Sequence, residues 1–426
     1  MFLFVPMRLH RYGVACLFCY FGSNLSAQGL SFDAALLAAA HRAPTLQARA
    51  ASVSGSKALQ TSAAELPDPK LSVGIDSLPI NGPDRGSLTR DNFTQRQIGW
   101  TQDMPNNAKR LARTDAALAR TERDQALLQL EQLAVRREAG LAWLAAYFSG
   151  KRLQLFEQLM TQQDLMQATA SAQVPSGKIA PADFTAIKLE VMTLNDRKDE
   201  LLRDTHHAHA TLRRWTGEGQ ASRQLGELPQ LTVDRAYLQA NIERSPEIAG
   251  LIPVRAMADA DMREAEATKS GDWSWSVRYG KRGPAYSDFV SAQLTFDLPL
   301  SINKRQQPQV EARKKELIRI DSERDEAVRR LTQELEIQLV ELDEMNSKLN
   351  RLTQQTLGLT AQKTALTLAA YESGRDKIAA VLEARKQQTE AGLRVLELQA
   401  RQLALQWRLN TFIPEPSSTP MTSGRP

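Results

Sequence analysis

With 426 residues, of which 24 % are charged and only 6 % aromatic, the chain has the composition of long helices and coiled coils rather than of a globular core. The formal net charge of +5 falls by two without Arg8 and Arg11, which lie in a leader. No dense Lys/Arg run remains, so nucleic acid is excluded as a partner.

Residues 1–27 read as a secretory signal peptide. Basic residues precede an apolar run from Tyr12 to Gly22, and Leu25-Ser26-Ala27 offers a small-residue cleavage site. That run is too short to span a bilayer as a helix. Both cysteines, Cys16 and Cys19, fall inside it, so the mature chain would hold none. The alternatives are an uncleaved anchor or acylation at Cys16, for which Gly13-Val14-Ala15 is a poor lipobox. The expectation is an exported protein cleaved after Ala27.

The remainder is written twice. The first repeat, 28–229, has a helix around Ala43-Pro44-Thr45-Leu46, then strands at 70–78 and 93–104. In the first strand Leu71, Val73 and Ile75 alternate with Ser72, Gly74 and Asp76. A Gly/Pro-rich loop from Pro79 joins the two. Long helices at 107–173 and 181–216 follow. Leu127, Leu130, Ala134, Leu141, Leu144 and Phe148 step by three and four on the first, with Arg137 interrupting. Phe184, Ile187, Val191, Leu194, Leu201 and Leu212 keep that step on the second, a narrow coiled-coil seam.

The second repeat, 230–412, runs through the same order. Ser245-Pro246-Glu247-Ile248 answers Ala43-Pro44-Thr45-Leu46, and Asp297-Leu298-Pro299 answers Asp103-Met104-Pro105. Ser373-Gly374-Arg375 answers Ser176-Gly177-Lys178. The three matches keep one order at offsets of about 200 residues, the mark of an internal repeat. Strands are expected at 272–281 and 288–300, and long helices at 306–372 and 376–411. The seam runs Val328, Leu331, Leu335, Leu342, Met345, Leu349, Leu352 and Leu359, then Leu393, Leu396, Ala400, Leu403 and Trp407. The tail 413–426, with its prolines and serines, is expected to be disordered.

The stretch Asp272-Trp-Ser-Trp-Ser-Val-Arg-Tyr-Gly280 raises the question of function. Trp273, Trp275, Val277 and Tyr279 share one face of a strand. On one reading that face covers a small soluble core. The helices, however, offer only narrow seams as cover, whereas lipid is an apolar partner that gathers aromatic residues at its interfaces. The strand lengths suit a transmembrane barrel. Four strands cannot close one, and open edges are not tolerated in hydrocarbon, so the barrel must be shared between copies. Two copies would nearly fill the lumen, whereas three give twelve strands and a conduit. Ser274, Ser276, Arg278, Gln293 and Thr295 would then line water. The fold class expected is mainly α with a shared β-barrel, continued by helices about 100 Å long.

The duplicated order, the Asp-x-Pro strand ends and the Ser-Gly turns before the returning helices resemble the TolC-like outer-membrane efflux proteins. The resemblance spans about 31–412 and rests on order and duplication more than on any one motif. LPDPKLSVGIDSLPINGPDRG and QDMPNNAKR look most like the heavy-metal cation efflux (CzcC-like) branch. The family implies a homotrimer: a twelve-stranded outer-membrane barrel continued by a coiled-coil α-helical barrel across the periplasm. It implies an exit duct partnered by a periplasmic adaptor (membrane fusion) protein and an inner-membrane pump, of the proton-driven RND type for this branch. Drug efflux and type I protein secretion use the same duct shape. A soluble periplasmic coiled-coil adaptor or spacer is the alternative of another class.

The resemblance carries two sets of residues over. The turns Pro175-Ser176-Gly177-Lys178 and Ser373-Gly374-Arg375 match the family's periplasmic tips, which meet the adaptor; as plain turns they would need the same glycines. In the segment Ile378–Ala384 the family carries two aspartates that narrow the entrance. Here Ala380 replaces the first and Glu383 the second, and Asp183 matches the equivalent acid after the first turn. Three copies of Glu383 would form a carboxylate ring favouring cations; otherwise it is a solvated helix-face residue. His206, His207 and His209 form the one histidine cluster, with arginines around it and no third ligand evident. No Gly-x-Ser-x-Gly, phosphate loop, His-Glu-x-x-His or nucleotide fingerprint occurs. The expectation is therefore no enzyme, no cofactor and no resident metal.

Overall fold

The computed structural model describes residues 29–177, 179–217 and 224–414; the expected leader, Lys178 and residues 415–426 lie outside that set. Helix α1 (Phe32–Arg42) begins where the Ser31 hydroxyl accepts the Ala34 N–H at 3.1 Å, satisfying one of the unpaired N–H groups of a first turn. Helix α2 (Pro44–Ala63) opens on proline, which fits a first helical position because its N–H would have no partner there anyway. Strands β1 (Lys70–Asp76) and β2 (Gln95–Met104) lead into α3 (Asn107–Gln173), whose 67 residues reach about 100 Å. Helix α4 (Pro181–Thr216) returns along it.

The second repeat opens with short helices α5 (Arg235–Ala240) and α6 (Pro246–Ala249), then α7 (Leu251–Ala267). Strands β3 (Trp273–Lys281) and β4 (Phe289–Phe296) follow, then α8 (Gln306–Arg351), α9 (Leu357–Glu372) and α10 (Ile378–Asn410). The four strands form one antiparallel sheet in the order β1-β2-β3-β4. Each repeat contributes a hairpin, and the β2–β3 pairing from Met104↔Trp273 to Arg96↔Lys281 joins them.

The strands are shorter than their alternation. β1 stops at Asp76 because Ser77 turns into the left-handed region at φ 58°. β2 starts at Gln95, since the Asp91 carboxylate accepts the Phe93 and Thr94 N–H groups and holds them in a turn. β4 stops at Phe296, opposite the first residue of β3. Leu298 and Leu300 keep the alternation with no strand to pair with, and both are exposed.

The helices are knotted together where α1, α3 and α10 meet. The Phe32 ring stands edge-on to Trp143 at 5.5 Å and to Trp407 at 4.8 Å. Trp143 Nε1 donates to the Leu30 carbonyl at 2.9 Å, and Trp407 Nε1 to that of Arg137 at 3.0 Å. Buried indole N–H groups are thus satisfied. Arg137 interrupts the leucine periodicity, and its carbonyl is what receives the tryptophan.

On α8 the buried stripe is Leu331, Leu335, Leu339 and Leu342, the last three packing on Leu238, Leu405, Leu409 and Ile413. Ile413 is 2 % exposed, and Pro414 accepts the Tyr237 hydroxyl at 3.0 Å. The packed body therefore runs past the expected boundary at 412. The expected helix 306–372 is not continuous, because a π turn at Leu352–Thr356 divides α8 from α9. One extra residue in a turn rotates the rest of the helix by about 100°. No residue of α9 is buried, and Leu359, assigned to the seam by its spacing, is exposed.

Candidate functional site

The sheet has two chemically distinct faces, because residues opposite one another in an antiparallel pair point the same way. Val73, Ile98, Tyr279 and Val290 form one rung, and Leu71, Trp100, Val277 and Ala292 the next. Trp275 faces Leu294 and Trp273 faces Phe296, with those last two rings stacked at 6.5 Å. The opposite face carries Ser72, Gly99, Arg278 and Ser291 in one rung, and a Lys70–Asp103 ion pair at 2.6 Å.

Nothing among the described residues covers the apolar face. Val73 is 77 % exposed, Val290 70 % and Leu294 62 %. Trp273, Val277 and Tyr279 are exposed as well, and Trp275 is half-buried. A contiguous bare apolar patch of this kind marks an interaction surface, for a protein or a membrane. The outer edges of β1 and β4 also carry no partner strand among the described residues. Unpaired edges invite pairing with another chain. Among the described residues, no helix is long and apolar enough to cross a membrane.

A polar clamp holds the sheet on the helices. The Asp272 carboxylate accepts the Asn106 N–H at 2.9 Å and Lys109 Nζ at 2.8 Å. Asn106 caps α3 through its side-chain oxygen and donates its amide to the Ala267 and Ser270 carbonyls. Burial pushes the Asp272 carboxyl up, but the Lys109 and Asn106 bonds outweigh it and hold it below the usual carboxylate range.

At the far end of the helices the two predicted turns lie side by side. In the first, Ser176 Oγ donates to the Gln173 carbonyl and the Gly177 N–H to that of Val174. In the second, the Ser373 hydroxyl donates to Ala369 and Ala370, and Arg375 Nε donates back to Ser373 Oγ. Gly177 and Gly374 adopt φ of 70° and 71°, where a side chain would be strained. The Tyr371 hydroxyl meets Gln173 at 3.3 Å across the two turns. Beneath them Ala170, Ile179, Ile187, Ile378 and Leu382 form a shared apolar plug. Pro175, Ser176, Gly177, Ser373, Gly374 and Arg375 are all exposed.

The candidate entrance acids start the two returning helices. Asp183 sits in the first turn of α4, half-buried, where the helix dipole favours an anion. Glu383 is exposed on α10 and accepts the Gln387 amide at 2.7 Å. No hydrogen bond or ion pair links Asp183 to Glu383 among the described residues. Sequence reading missed a third group nearby: Lys386 of α10 meets Glu190 of α4 at 3.0 Å, both half-buried. The Glu190 carboxylate holds the Lys386 ammonium above its ordinary range. No local spacing announces this pair, because its partners lie on helices far apart in the chain. Among the described residues, no cluster of three or more His, Cys, Asp and Glu side chains is placed to hold a metal ion.

No family model matches the sequence, and no curated protein matches it. Solved structures do. CusC, described for its folding and transmembrane channel formation, matches with a TM-score of 0.74 at 13 % identity, over 90 % of this chain and 92 % of its own. The outer membrane protein VceC of Vibrio cholerae matches at 0.73 and 14 %, over 89 % of this chain and 95 % of its own. The open state of the Neisseria gonorrhoeae MtrE outer membrane channel matches at 0.71 and 13 %, over 89 % and 88 %. The likeness is one of fold: this mainly helical chain with its small antiparallel sheet has the fold of the TolC-like outer-membrane efflux channels.

Proposed function

We propose that this chain is the outer-membrane exit duct of a tripartite efflux pump, a passive homotrimeric channel and not an enzyme. One observation carries the reading: a four-stranded sheet with a bare apolar face and two edges unpaired among the described residues stands on helices about 100 Å long. Three such sheets joined edge to edge make a twelve-stranded barrel with no exposed edge, the condition for strands in hydrocarbon. Its apolar faces, with Trp273, Trp275, Val277 and Tyr279, turn to lipid, and Ser274, Ser276 and Arg278 line water. The helices continue the duct through the periplasm. The paired turns at 175–178 and 373–375 meet a periplasmic adaptor, which couples the duct to an inner-membrane pump of the RND type. Asp183 and Glu383 sit at the entrance, where a ring of carboxylates favours cations.

For cargo, the reading is heavy-metal cations. It rests on the likeness of 66–86 and 102–110 to the CzcC-like branch and on the entrance carboxylates. Two experiments test the proposal. The mature protein, extracted in detergent and placed in a planar bilayer, should run as a trimer and conduct; a soluble monomer that never conducts would refute the duct. A deletion strain grown on graded zinc, cadmium, cobalt, copper and silver salts, beside a panel of hydrophobic drugs, tests the cargo. Sensitivity to drugs alone would remove the metals and leave the duct.

A further inference from the structure

Arg96 and Lys281 stand directly opposite each other across β2 and β3. Like charges so placed, with Cβ atoms about 5 Å apart, destabilise a strand pair. Neither residue takes part in the ion pairs found among the described residues. Arg96 Nε is shut off from water and has no hydrogen-bond partner. Two acids near this rung in the chain are engaged or misplaced. Asp288, next after the Gly280↔Phe289 pair and so beside Lys281, is tied to the Tyr279 hydroxyl and forms no ion pair with Lys281, and Asp76 lies opposite Gln95, on the other face.

The pair also has a defined depth. Lys281 follows Tyr279, and Arg96 precedes Ile98, each two residues along its strand and on the apolar face. The apolar ladder from Trp273 to Tyr279 covers about 20 Å along the strand, close to the height of a barrel's apolar band. Arg96 and Lys281 lie one rung beyond it. They are at the end that leads to the loops 77–94 and 282–288, away from the helices. If the helices stand in the periplasm, this rung meets the outer leaflet where headgroups begin. A guanidinium and an ammonium together suit a phosphate, which accepts from both and cancels their repulsion.

We infer that Arg96 and Lys281 form a binding site for a headgroup phosphate of an outer-leaflet glycolipid, three such sites ringing the trimer. The inference rests on the outer-membrane reading proposed above. The test uses the full mature protein, delipidated in neutral detergent, and its Arg96→Gln/Lys281→Gln variant. Binding of diphosphoryl lipid A, fully dephosphorylated lipid A and inorganic phosphate is measured by native mass spectrometry and thermal shift. The wild type should prefer the diphosphoryl form by at least about tenfold, and the variant should lose that preference. Without lipid the variant should melt no lower than the wild type, since it sheds a repulsion. Equal binding of both lipid forms, a preference retained by the variant, or stabilisation by inorganic phosphate alone to the same extent would overturn the site. Bilayer conductance of the same samples separates the two readings: conductance with no phosphate preference sinks the site and leaves the duct.

Discussion

Lys109 Nζ lies 2.8 Å from the Asp272 carboxylate, across the junction where α3 leaves β2 and β3 begins. The pair ties the first hairpin's helix to the second hairpin's entry, and so the two repeats to each other. Because the Asp272 carboxyl is held below its ordinary range, its contribution is complete above the unfolded value, about 4. It is lost as pH falls through the lower folded value. Melting followed by circular dichroism in detergent, from about pH 6 to about pH 3, should show an acid loss of stability that Asp272→Asn reduces. At neutral pH the same substitution should cost on the order of 1–3 kcal/mol, as for a hydrogen-bonded partner removed.

Two glycines of α3 make a matched pair. A Cβ on Gly140 would sit 2.2 Å from Trp407 Nε1 and 3.0 Å from the Phe32 ring, whereas one on Gly150 would meet nothing within 4 Å. Gly140→Ala should therefore push Trp407 off the Arg137 carbonyl and cost about 1–3 kcal/mol by overpacking. Gly150→Ala should stabilise by up to about 1 kcal/mol, through helix propensity alone. Thermal melts with tryptophan fluorescence distinguish them, and a neutral Gly140→Ala would contradict the packing described at this knot.

The apolar sheet face is tested by a charge. Val277 is exposed in the single chain, so in water Val277→Arg should change stability by no more than about 0.5 kcal/mol. In a lipid-facing strand the same change should cost about 2–4 kcal/mol near the midplane. Refolding of the two proteins into vesicles, followed by urea titration, reads the difference; equal stabilities would mean the face does not meet hydrocarbon.

Glu383→Ala should weaken cation selectivity in a planar bilayer, read as a smaller reversal potential under a salt gradient. Unchanged selectivity would return Glu383 to an ordinary helix-face residue bonded to Gln387.

What the sequence made legible was periodicity. Alternation at Leu71–Ile75 and Trp273–Tyr279, and steps of three and four along the helices, marked out the elements and their order. The tip turns could be read because proline and glycine act through backbone geometry that is local. Termini were harder. Leu298 and Leu300 continue an alternating pattern, yet a strand lasts only while a neighbour pairs with it, and β3 begins at Trp273. The π turn at Leu352–Thr356 leaves no mark in composition, so spacing alone puts Leu359 on a seam that the rotated helix turns away. The contacts of Phe32, Trp143 and Trp407, and of Lys386 with Glu190, join segments distant in the chain. Such pairs are fixed by packing and have no spacing to read.

The β2–β3 pairing has a further consequence, for the order of events in folding. Each hairpin closes a short loop, but joining them brings together Asn106 and Asp272, 166 residues apart. Closing so long a loop costs more chain entropy than closing either hairpin, and non-local pairings are the slow ones. By that measure the hairpins are the local contacts, and the β2–β3 joining, like the Trp407–Arg137 contact between α10 and α3 with its partners 270 residues apart, is a non-local one. The wide apolar sheet exists only once the two hairpins are joined, which the Asn106–Asp272 clamp secures. Its broad adhesive face is thus a property of the two repeats together, which neither hairpin has alone.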